Sequence, residues 1–206
     1  MKIVFKYIFF YLVLMIQTVI AACSLTDGDY LQINQKSIGW EKIEPANAEN
    51  PMLTGRRYFG MTVKNQNEIY VFGGYNGSYL NDLWKYTVST NNWEQLIPGN
   101  APQGRSGHSF VLMNNNKIIL FGGGNGTELY LNDTWEYDIS SNIWTNLQPV
   151  DPIPSARANH TMAAIADGKA LLVGGNIGSN TVDNELWEYS QDENVWQLIT
   201  PSDKGK

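Results

Sequence analysis

The sequence has little that could build a metal site or a disulfide framework. Its 206 residues include one cysteine and two histidines. One cysteine cannot form a disulfide within the chain, and a zinc site made of several Cys or His ligands lacks donors. We therefore expect no metal and no cofactor.

Charged residues are also scarce, and the basic ones are the minority. They make up 17% of the chain, and 14 basic residues face 20 acidic ones for a net charge of −6. Nucleic-acid binding needs clustered Lys and Arg to neutralise phosphates, so nucleic acid is excluded as a partner. By contrast, 43% hydrophobic residues, 12% aromatic residues and 19 glycines favour an ordered all-β protein with tight turns.

The longest apolar run of the amino terminus, Tyr7 to Ile16, is too short to cross a bilayer. With its cationic start and the small residues that follow, it predicts a signal peptide at residues 1–22. Ile20-Ala21-Ala22-Cys23 resembles the lipobox of bacterial lipoproteins, in which the cysteine is acylated. The resemblance implies a lipid anchor on Cys23, in the outer membrane if the organism is Gram-negative, because Ser24 and not Asp follows. The alternative is an ordinary secretory signal and a secreted protein.

Three landmarks recur about every fifty residues in the rest of the chain. They are pairs of tryptophan nine residues apart, pairs of adjacent glycines, and an arginine 17 residues before each glycine pair. The tryptophans are Trp84 and Trp93, Trp135 and Trp144, and Trp187 and Trp196; the glycines are Gly73 and Gly74, Gly122 and Gly123, and Gly174 and Gly175; the arginines are Arg56, Arg105 and Arg157. Such a period indicates stacked structural repeats.

Each unit has the pattern of four short strands. In the second unit, alternating polarity and turn-forming residues predict strands at 109–113, 117–121, 133–137 and 143–147. Prolines end the unit, and their missing N–H predicts crossings between small sheets.

The second unit closely resembles the kelch repeat, one four-stranded blade of a β-propeller. Its order is Pro102-x-x-Arg105-x-x-His108, then Ile-Leu-Phe-Gly-Gly, then Leu131-Asn-Asp-Thr-Trp-x-Tyr137, then Trp144-x-x-Leu147. The third unit repeats this order with His160. The first departs from it, because Pro51 stands five residues ahead of Arg56 and Phe59 holds the place of the histidine.

The resemblance implies an all-β, kelch-type propeller of about three blades plus one extra strand. We predict a signal peptide at 1–22, a tether at 23–35, the last strand of an incomplete blade at 36–48, and blades at 49–100, 101–150 and 151–202. Propellers close with four to eight blades, so this one is partial. Either two copies form a homodimer that closes a six-bladed ring, or a second chain completes the propeller, or the chain is a truncated product of a longer kelch protein.

Most of the motif is expected to be structural. The glycine pairs allow backbones to approach where blades crowd together, and the tryptophans supply large buried areas between blades. The Asn-Asp and Asn-Glu pairs at 81–82, 132–133 and 184–185 are predicted to serve turns and caps by bonding local backbone.

The candidate ligand-binding residues are Arg56, Arg105, Arg157, His108 and His160. In kelch propellers the segment entering the first strand approaches the binding face, and a guanidinium there can fork onto the carboxylate of an acidic sugar or peptide. On that hypothesis Arg105→Ala weakens ligand binding and leaves the melting temperature nearly unchanged. The alternative is that each arginine ties its blade to a neighbour and that each histidine is a neutral imidazole satisfied by backbone.

Two functions follow from the resemblance. The first is an envelope-anchored or secreted module that binds a protein or glycan through loops on the propeller face. The second is a sugar-processing enzyme similar to the kelch-type sialic acid mutarotases, in which arginines hold the sugar carboxylate and a histidine or acid moves a proton. No catalytic residue is assigned, because the sequence has no nucleophile elbow, Walker loop or metalloprotease helix. Copper oxidation of the galactose oxidase kind needs a cysteine cross-linked to tyrosine beside the histidines, and the only cysteine is Cys23.

Overall fold

The computed structural model describes residues 42–43, 53–126, 130–178 and 181–200. The chain divides into two units, 1–42 and 43–206, and all described strands belong to the second. The predicted signal peptide, Cys23, the tether and nearly all of the predicted strand at 36–48 lie outside the described residues. Within that last segment Lys42 and Ile43 are described, and neither lies in a strand.

Three four-stranded antiparallel sheets follow one another along the chain, and we call them blades 1 to 3. Blade 1 is β1 (Gly60–Val63), β2 (Glu68–Tyr75), β3 (Tyr79–Thr87) and β4 (Asn92–Leu96); blade 2 is β5 (Ser109–Leu112), β6 (Lys117–Gly123), β7 (Leu131–Asp138) and β8 (Ile143–Asn146). Blade 3 is β9 (Thr161–Ala164) and β10 (Lys169–Val173), then a small hairpin of β11 (Asn176–Gly178) and β12 (Thr181–Val182), then β13 (Leu186–Ser190) and β14 (Val195–Ile199). Single 3₁₀ turns lie at Val88–Thr90 and Asn114–Asn116. The predicted all-β propeller architecture is confirmed, and the strands of the second unit differ from their predicted bounds by at most two residues.

The blades pack face to face through two hydrophobic clusters. Strand β6 contributes to both, because its side chains alternate between the two faces of the sheet. Ile118 and Leu120 join the cluster with blade 1, whereas Ile119 and Phe121 join the cluster with blade 3. The unbroken apolar run in β6 therefore reflects burial on both faces. Among the repeated tryptophans, Trp84, Trp144, Trp187 and Trp196 are buried, while Trp93 and Trp135 are half-buried.

A second repeated contact joins the outer turns of the blades. Asn142, with a positive φ, follows β7, and its Oδ1 accepts a hydrogen bond from the Tyr137 hydroxyl at 2.8 Å. Its Nδ2 donates across to the Ile97 carbonyl of blade 1 at 3.2 Å. Asn194 makes the same two bonds, with Tyr189 of its own blade and Leu147 of blade 2. Asparagine suits this place because its short polar side chain tolerates the left-handed conformation and bonds nearby backbone.

Candidate functional site

The three repeated arginines are each held inside their own blade by an ion pair. Arg105 is buried, and its Nη1 and Nη2 donate to the two carboxylate oxygens of Asp133 at 2.6 and 2.8 Å. Nη1 also donates to the Gly122 carbonyl at 3.0 Å. The other two blades repeat the contact, through Arg56 with Asp82 and Gly73, and through Arg157 with Asp183, Glu185 and Gly174.

The backbone of the same arginine bonds to the preceding blade. The Arg105 amide donates to the Leu80 carbonyl at 3.0 Å, and the Arg105 carbonyl accepts from the Gly74 amide at 2.8 Å. Arg157 bonds in the same way to Leu131 and Gly123 of blade 2. This is the geometry of the alternative in which each arginine ties its blade to a neighbour. A ligand-binding role for these arginines stays a prediction.

The acidic residues before the tryptophans do not mainly serve as turns and caps, so that prediction was wrong. Asp82 and Asp133 accept from their blade's arginine and from the indole Nε1 two residues on, at 2.6 and 2.7 Å. Burial raises the pKa of Asp82, but the hydrogen bonds from Arg56 and Trp84 outweigh it and hold this pKa below its usual value. Asp82 also has a local backbone hydrogen bond, and Asp183, which lies just before the third predicted pair, accepts from the Glu185 amide at 2.7 Å in addition to its ion pair.

Both histidines lie in the contacts between blades. The His108 ring meets Phe72 edge-on at a centroid distance of 5.6 Å, and His160 meets Phe121 at 5.5 Å. Burial, with a smaller contribution from the adjacent arginine, lowers the pKa of His108 to about 3 and that of His160 to about 4. Both imidazoles are therefore neutral at pH 7, as expected. His160 Nε2 lies 3.0 Å from the Ser109 hydroxyl, and a backbone hydrogen bond with Phe121 acts against burial on the pKa of this ring.

An exposed cluster of tyrosine and arginine side chains lies where the chain enters blade 1, beside the loop between β2 and β3. The Arg57 guanidinium carbon is 5.5 Å from the ring centroid of Tyr58 and 5.4 Å from that of Tyr75. Tyr75 in turn packs edge-on against Tyr79 at 5.1 Å. We call these four residues the tyrosine–arginine cluster. A cavity of about 300 Å³ adjoins it, lined by Arg56, Arg57, Tyr75, Asn76 and Gly77.

Arg57 differs from the other cations of the blades because it has no acidic partner among the residues that the structure describes. Seven Arg and Lys residues between 53 and 200 make ion pairs, namely Arg56, Lys64, Lys85, Arg105, Lys117, Arg157 and Lys169. The exposed side chain of Arg57 makes no ion pair and no hydrogen bond with any residue the structure describes. Between residues 53 and 200, Arg57 is therefore the cation whose charge no described acid neutralises.

Tyr58 occupies a backbone conformation that suits glycine or asparagine. Its φ is +58°, and the residues at the same place in blades 2 and 3 are Gly107 and Asn159, with φ of +66° and +58°. A bulky residue is strained in this region. The Tyr58 side chain is 59% exposed, so core packing does not account for it. A strained, exposed tyrosine thus lies beside an arginine that has no acidic partner among the described residues.

A second cavity, of about 490 Å³, lies beside β8 and is lined in part by Ala101, Trp135 and Trp144. The buried Trp144 Nε1 has no hydrogen-bond partner within the described part of the chain. Its counterpart Trp196 Nε1 donates to the Thr134 hydroxyl at 3.1 Å, and the residue that matches Thr134 in blade 1 is Leu83. The missing partner is thus explained by a difference between repeats and indicates no ligand.

Neither a metal site nor a membrane span is found in the described ranges. No group of three or more His, Cys, Asp or Glu side chains there is arranged to hold a metal ion. No helix in the same ranges is long and apolar enough to cross a membrane.

Comparison with known proteins identifies the family. Residues 23–206 match the model of the KLHDC2/KLHL20/DRC7 Kelch-repeats domain. The chain belongs to the kelch-repeat family.

Similar kelch proteins and one solved structure extend this result. The chain is 38% identical over 112 residues to Kelch domain-containing protein 2 of Bos taurus, which covers 53% of the chain and 27% of that protein. It is 32% identical over 138 residues to Kelch repeat-containing protein 2 of Saccharomyces cerevisiae, covering 60% of the chain and 15% of that protein. The solved structure of YjhT matches with a TM-score of 0.60 at 19% identity, covering 73% of this chain and 54% of that one. The chain thus spans about a quarter or less of these two curated relatives.

Within the kelch repeats, the functional candidates that sequence reasoning missed are Arg57 and Tyr58. The sequence analysis predicted ligand binding for Arg56 because an arginine recurs at this place in every unit. In the structure, Arg56 forms an ion pair with Asp82. The sequence signal that could have found Arg57 is its departure from the repeat. Ser106 and Ala158 match Arg57, and neither carries a charge.

Proposed function

We propose that this kelch-repeat chain is an interaction module that binds a carboxylate-bearing segment of a partner protein at the tyrosine–arginine cluster. The observation that carries the proposal is the exposed Arg57 guanidinium, stacked near two tyrosine rings and without an acidic partner among the described residues. The rings engage the guanidinium through cation–π contacts. The N–H donors remain available for a two-pronged bond to a carboxylate.

A protein segment fits this surface better than a glycan. Tyrosine and arginine are the side chains that most often carry binding energy at protein interfaces, because they combine large contact area with hydrogen bonding. The fold alone does not decide, since propellers host many functions. An acidic glycan is therefore kept as an outcome of the test.

No observation favours the sugar-processing alternative. His108 and His160, the histidines considered for proton transfer, are buried between blades with lowered pKa values. A general acid or base works best with a pKa near the working pH and with access to the substrate.

Export and anchoring are part of the proposal and rest on residues 1–23. The kelch match begins at residue 23, which leaves the cationic and apolar segment outside the repeats. We propose cleavage before Cys23 and acylation of its thiol, which places the module on the envelope surface. Labelling cells with an alkyne fatty acid tests this. The wild-type chain is expected to take up label and Cys23→Ser to lose it, and equal labelling of the two would contradict the anchor.

Binding is tested with paired probes that differ only in charge. Fluorescent peptides rich in Asp and Glu are compared with the same peptides carrying Asn and Gln, alongside oligosaccharides of an acidic sugar. We expect a preference for the acidic peptides and a loss of at least about tenfold in their affinity for Arg57→Ala, because one charge-assisted bidentate contact is lost.

Lys64→Ala is the matched control. It removes the same charge from the turn after β1, at the other end of the strands from the cluster, where Lys64 pairs with Glu68 at 2.7 Å. Its affinity is expected to stay at the wild-type value. Equal losses in both variants would reduce the effect to overall charge and refute the site. Binding of the acidic sugars without binding of any peptide would replace the protein ligand by a glycan.

A further inference from the structure

The two contacts between blades repeat the same set of backbone hydrogen bonds. We define the socket of a blade as the amide of the second glycine in its glycine pair and the carbonyl four residues before the first tryptophan. The socket of blade 1 is Gly74 N and Leu80 O, and it holds the backbone of Arg105. The socket of blade 2 is Gly123 N and Leu131 O, and it holds the backbone of Arg157 at 2.9 and 3.0 Å.

A further bond links neighbouring blades two residues after each arginine. Gly107 N donates to Tyr58 O at 2.8 Å, and Asn159 N donates to Gly107 O at 2.7 Å. The bond runs in the same direction both times, from each blade to the one before it. Within the described residues, the series therefore leaves the Asn159 carbonyl without a donor at one end and the Tyr58 amide without an acceptor at the other.

Blade 3 presents the socket without an occupant among the described residues. Neither Gly175 N nor Asp183 O has a recorded hydrogen-bond partner there, and the same holds for Asn159 O. A Cβ placed on Gly122 would lie 2.8 Å from the arginine carbonyl seated against it, whereas on Gly174 the nearest atom is Asp183 O at 3.5 Å. The space that an arginine segment fills at blade 2 is open at blade 3.

Blade 1 presents the complementary groups. The backbone N and O of Arg56 and the Tyr58 N have no recorded hydrogen bond to the described residues, although their counterparts around Arg105 and Arg157 are bonded. Met61 is 57% exposed, while Phe110 and Met162, which match it in blades 2 and 3, are buried. The first strand of blade 1 thus exposes an apolar side chain at a position that is buried in the other two blades.

The side chains at the two ends fit each other. Inside the chain, His108 packs on Phe72 and His160 on Phe121, and both phenylalanines are 0% exposed. At the open ends, Phe59 stands in place of the histidine and Val173 in place of the phenylalanine, and Val173 is 46% exposed. Phe59 on the open face of blade 1 is larger and more apolar than a histidine, and Val173 on the open face of blade 3 is smaller than a phenylalanine.

We propose that a second copy of this chain seats its segment 56–60 in the socket of blade 3, and that two such junctions close a six-bladed ring. Each junction continues the contact already made between blades 1 and 2 and between blades 2 and 3. Two-fold symmetry about the ring axis makes both junctions identical and satisfies both ends at once. Arg57 and Tyr58 of the tyrosine–arginine cluster belong to the seated segment, so the junction brings the second copy against part of that cluster.

An engineered disulfide tests the junction. Ser109 Oγ and Met162 Sδ lie 3.4 Å apart across the contact between blades 2 and 3. The matching pair at the proposed junction is Thr161 of one copy and Met61 of the other. The full chain carrying Met61→Cys and Thr161→Cys in a Cys23→Ser background is oxidised and run on a non-reducing gel. The expected product is a covalent dimer that returns to monomer on reduction.

Three controls make the result decisive. Ser109→Cys with Met162→Cys is expected to close a disulfide within one chain, which shows that the geometry permits the bond. Met61→Cys with Ile97→Cys, at an exposed position far along the blade, is expected to give no dimer. Gly174→Ala added to the test pair is expected to lower the dimer yield several-fold, because its Cβ occupies the place of the incoming arginine carbonyl.

Any of three results overturns the proposal. A test pair that stays monomeric while the Ser109 and Met162 pair closes shows that the socket takes no second copy. A ladder of higher oligomers shows an open head-to-tail contact and not a two-copy ring. Equal dimer yields from the test pair and the Ile97 pair show collisional cross-linking.

Discussion

Replacement of Arg105 by alanine distinguishes a structural arginine from a ligand-binding one. The variant removes four hydrogen bonds, two to Asp133, one to Gly122 and one to the Gln103 carbonyl, from a side chain that is 2% exposed. Breaking a buried ion pair costs about 3–5 kcal/mol, because the remaining charge stays desolvated without its partner. The Asp133 side chain is 27% exposed and keeps its bond from Trp135, so we expect the lower end, about 3 kcal/mol. In a domain of this size that corresponds to a fall of roughly 6–12 °C in melting temperature.

The assay is urea unfolding followed by tryptophan fluorescence, with thermal melts as a second measurement. The control is Arg57→Ala, which removes the same side chain from an exposed position and is expected to change the free energy of unfolding by less than about 0.5 kcal/mol. The ligand-pocket hypothesis predicts the reverse, a nearly unchanged melting temperature for Arg105→Ala with weaker binding. A loss below about 1 kcal/mol for Arg105→Ala would refute the structural argument.

Three further predictions follow from the same structure. Because burial lowers the pKa of His108 to about 3 and that of His160 to about 4, the unfolded chain takes up protons first. The free energy of unfolding is then at its full value above about pH 6.5 and falls as the pH drops towards the folded pKa values of about 4 for His160 and about 3 for His108. The loss is up to about 1.4 kcal/mol per pH unit for each histidine, and urea titrations showing no change from pH 6.5 to 5 would contradict this. Gly122→Ala is expected to cost roughly 1–3 kcal/mol more than Gly174→Ala in dilute solution, since both have positive φ but only Gly122 faces the carbonyl of a following blade; equal losses measured in urea would disprove the role of that contact. Tyr58→Asn is expected to raise the free energy of unfolding by about 1 kcal/mol by relieving left-handed strain while weakening binding of the acidic peptides, and unchanged peptide affinity in a titration would remove Tyr58 from the site.

The strands and turns of each blade were predictable because short stretches of sequence determine them. Alternating polarity, turn-forming asparagines and the glycine pairs recur in each unit and predicted the strands of blade 2 closely. The signal peptide at 1–22, the lipid on Cys23 and the strand at 36–48 stay predictions, because nearly all of these residues fall outside the described ones.

The partners of the arginines required the tertiary structure. Arg105 and Asp133 are separated by 28 residues, and they meet beside Gly122, where the register between β6 and β7 shifts and where the Gly122 carbonyl also accepts from Arg105. Without that register, several roles are equally compatible with the Asp133 carboxylate, and a turn or cap is one of them.

What the sequence determined by itself is the repeat: three four-stranded blades of the kelch type, with their glycines and tryptophans at matched offsets. Only the tertiary structure decided which of two adjacent arginines is buried, since successive side chains of an extended chain point in opposite directions. Arg56 lies in an ion pair and Arg57 lies exposed between tyrosine rings. The tertiary structure was also needed to show which blade faces are exposed, because the exposure of a residue depends on how the blades pack and not on that residue alone.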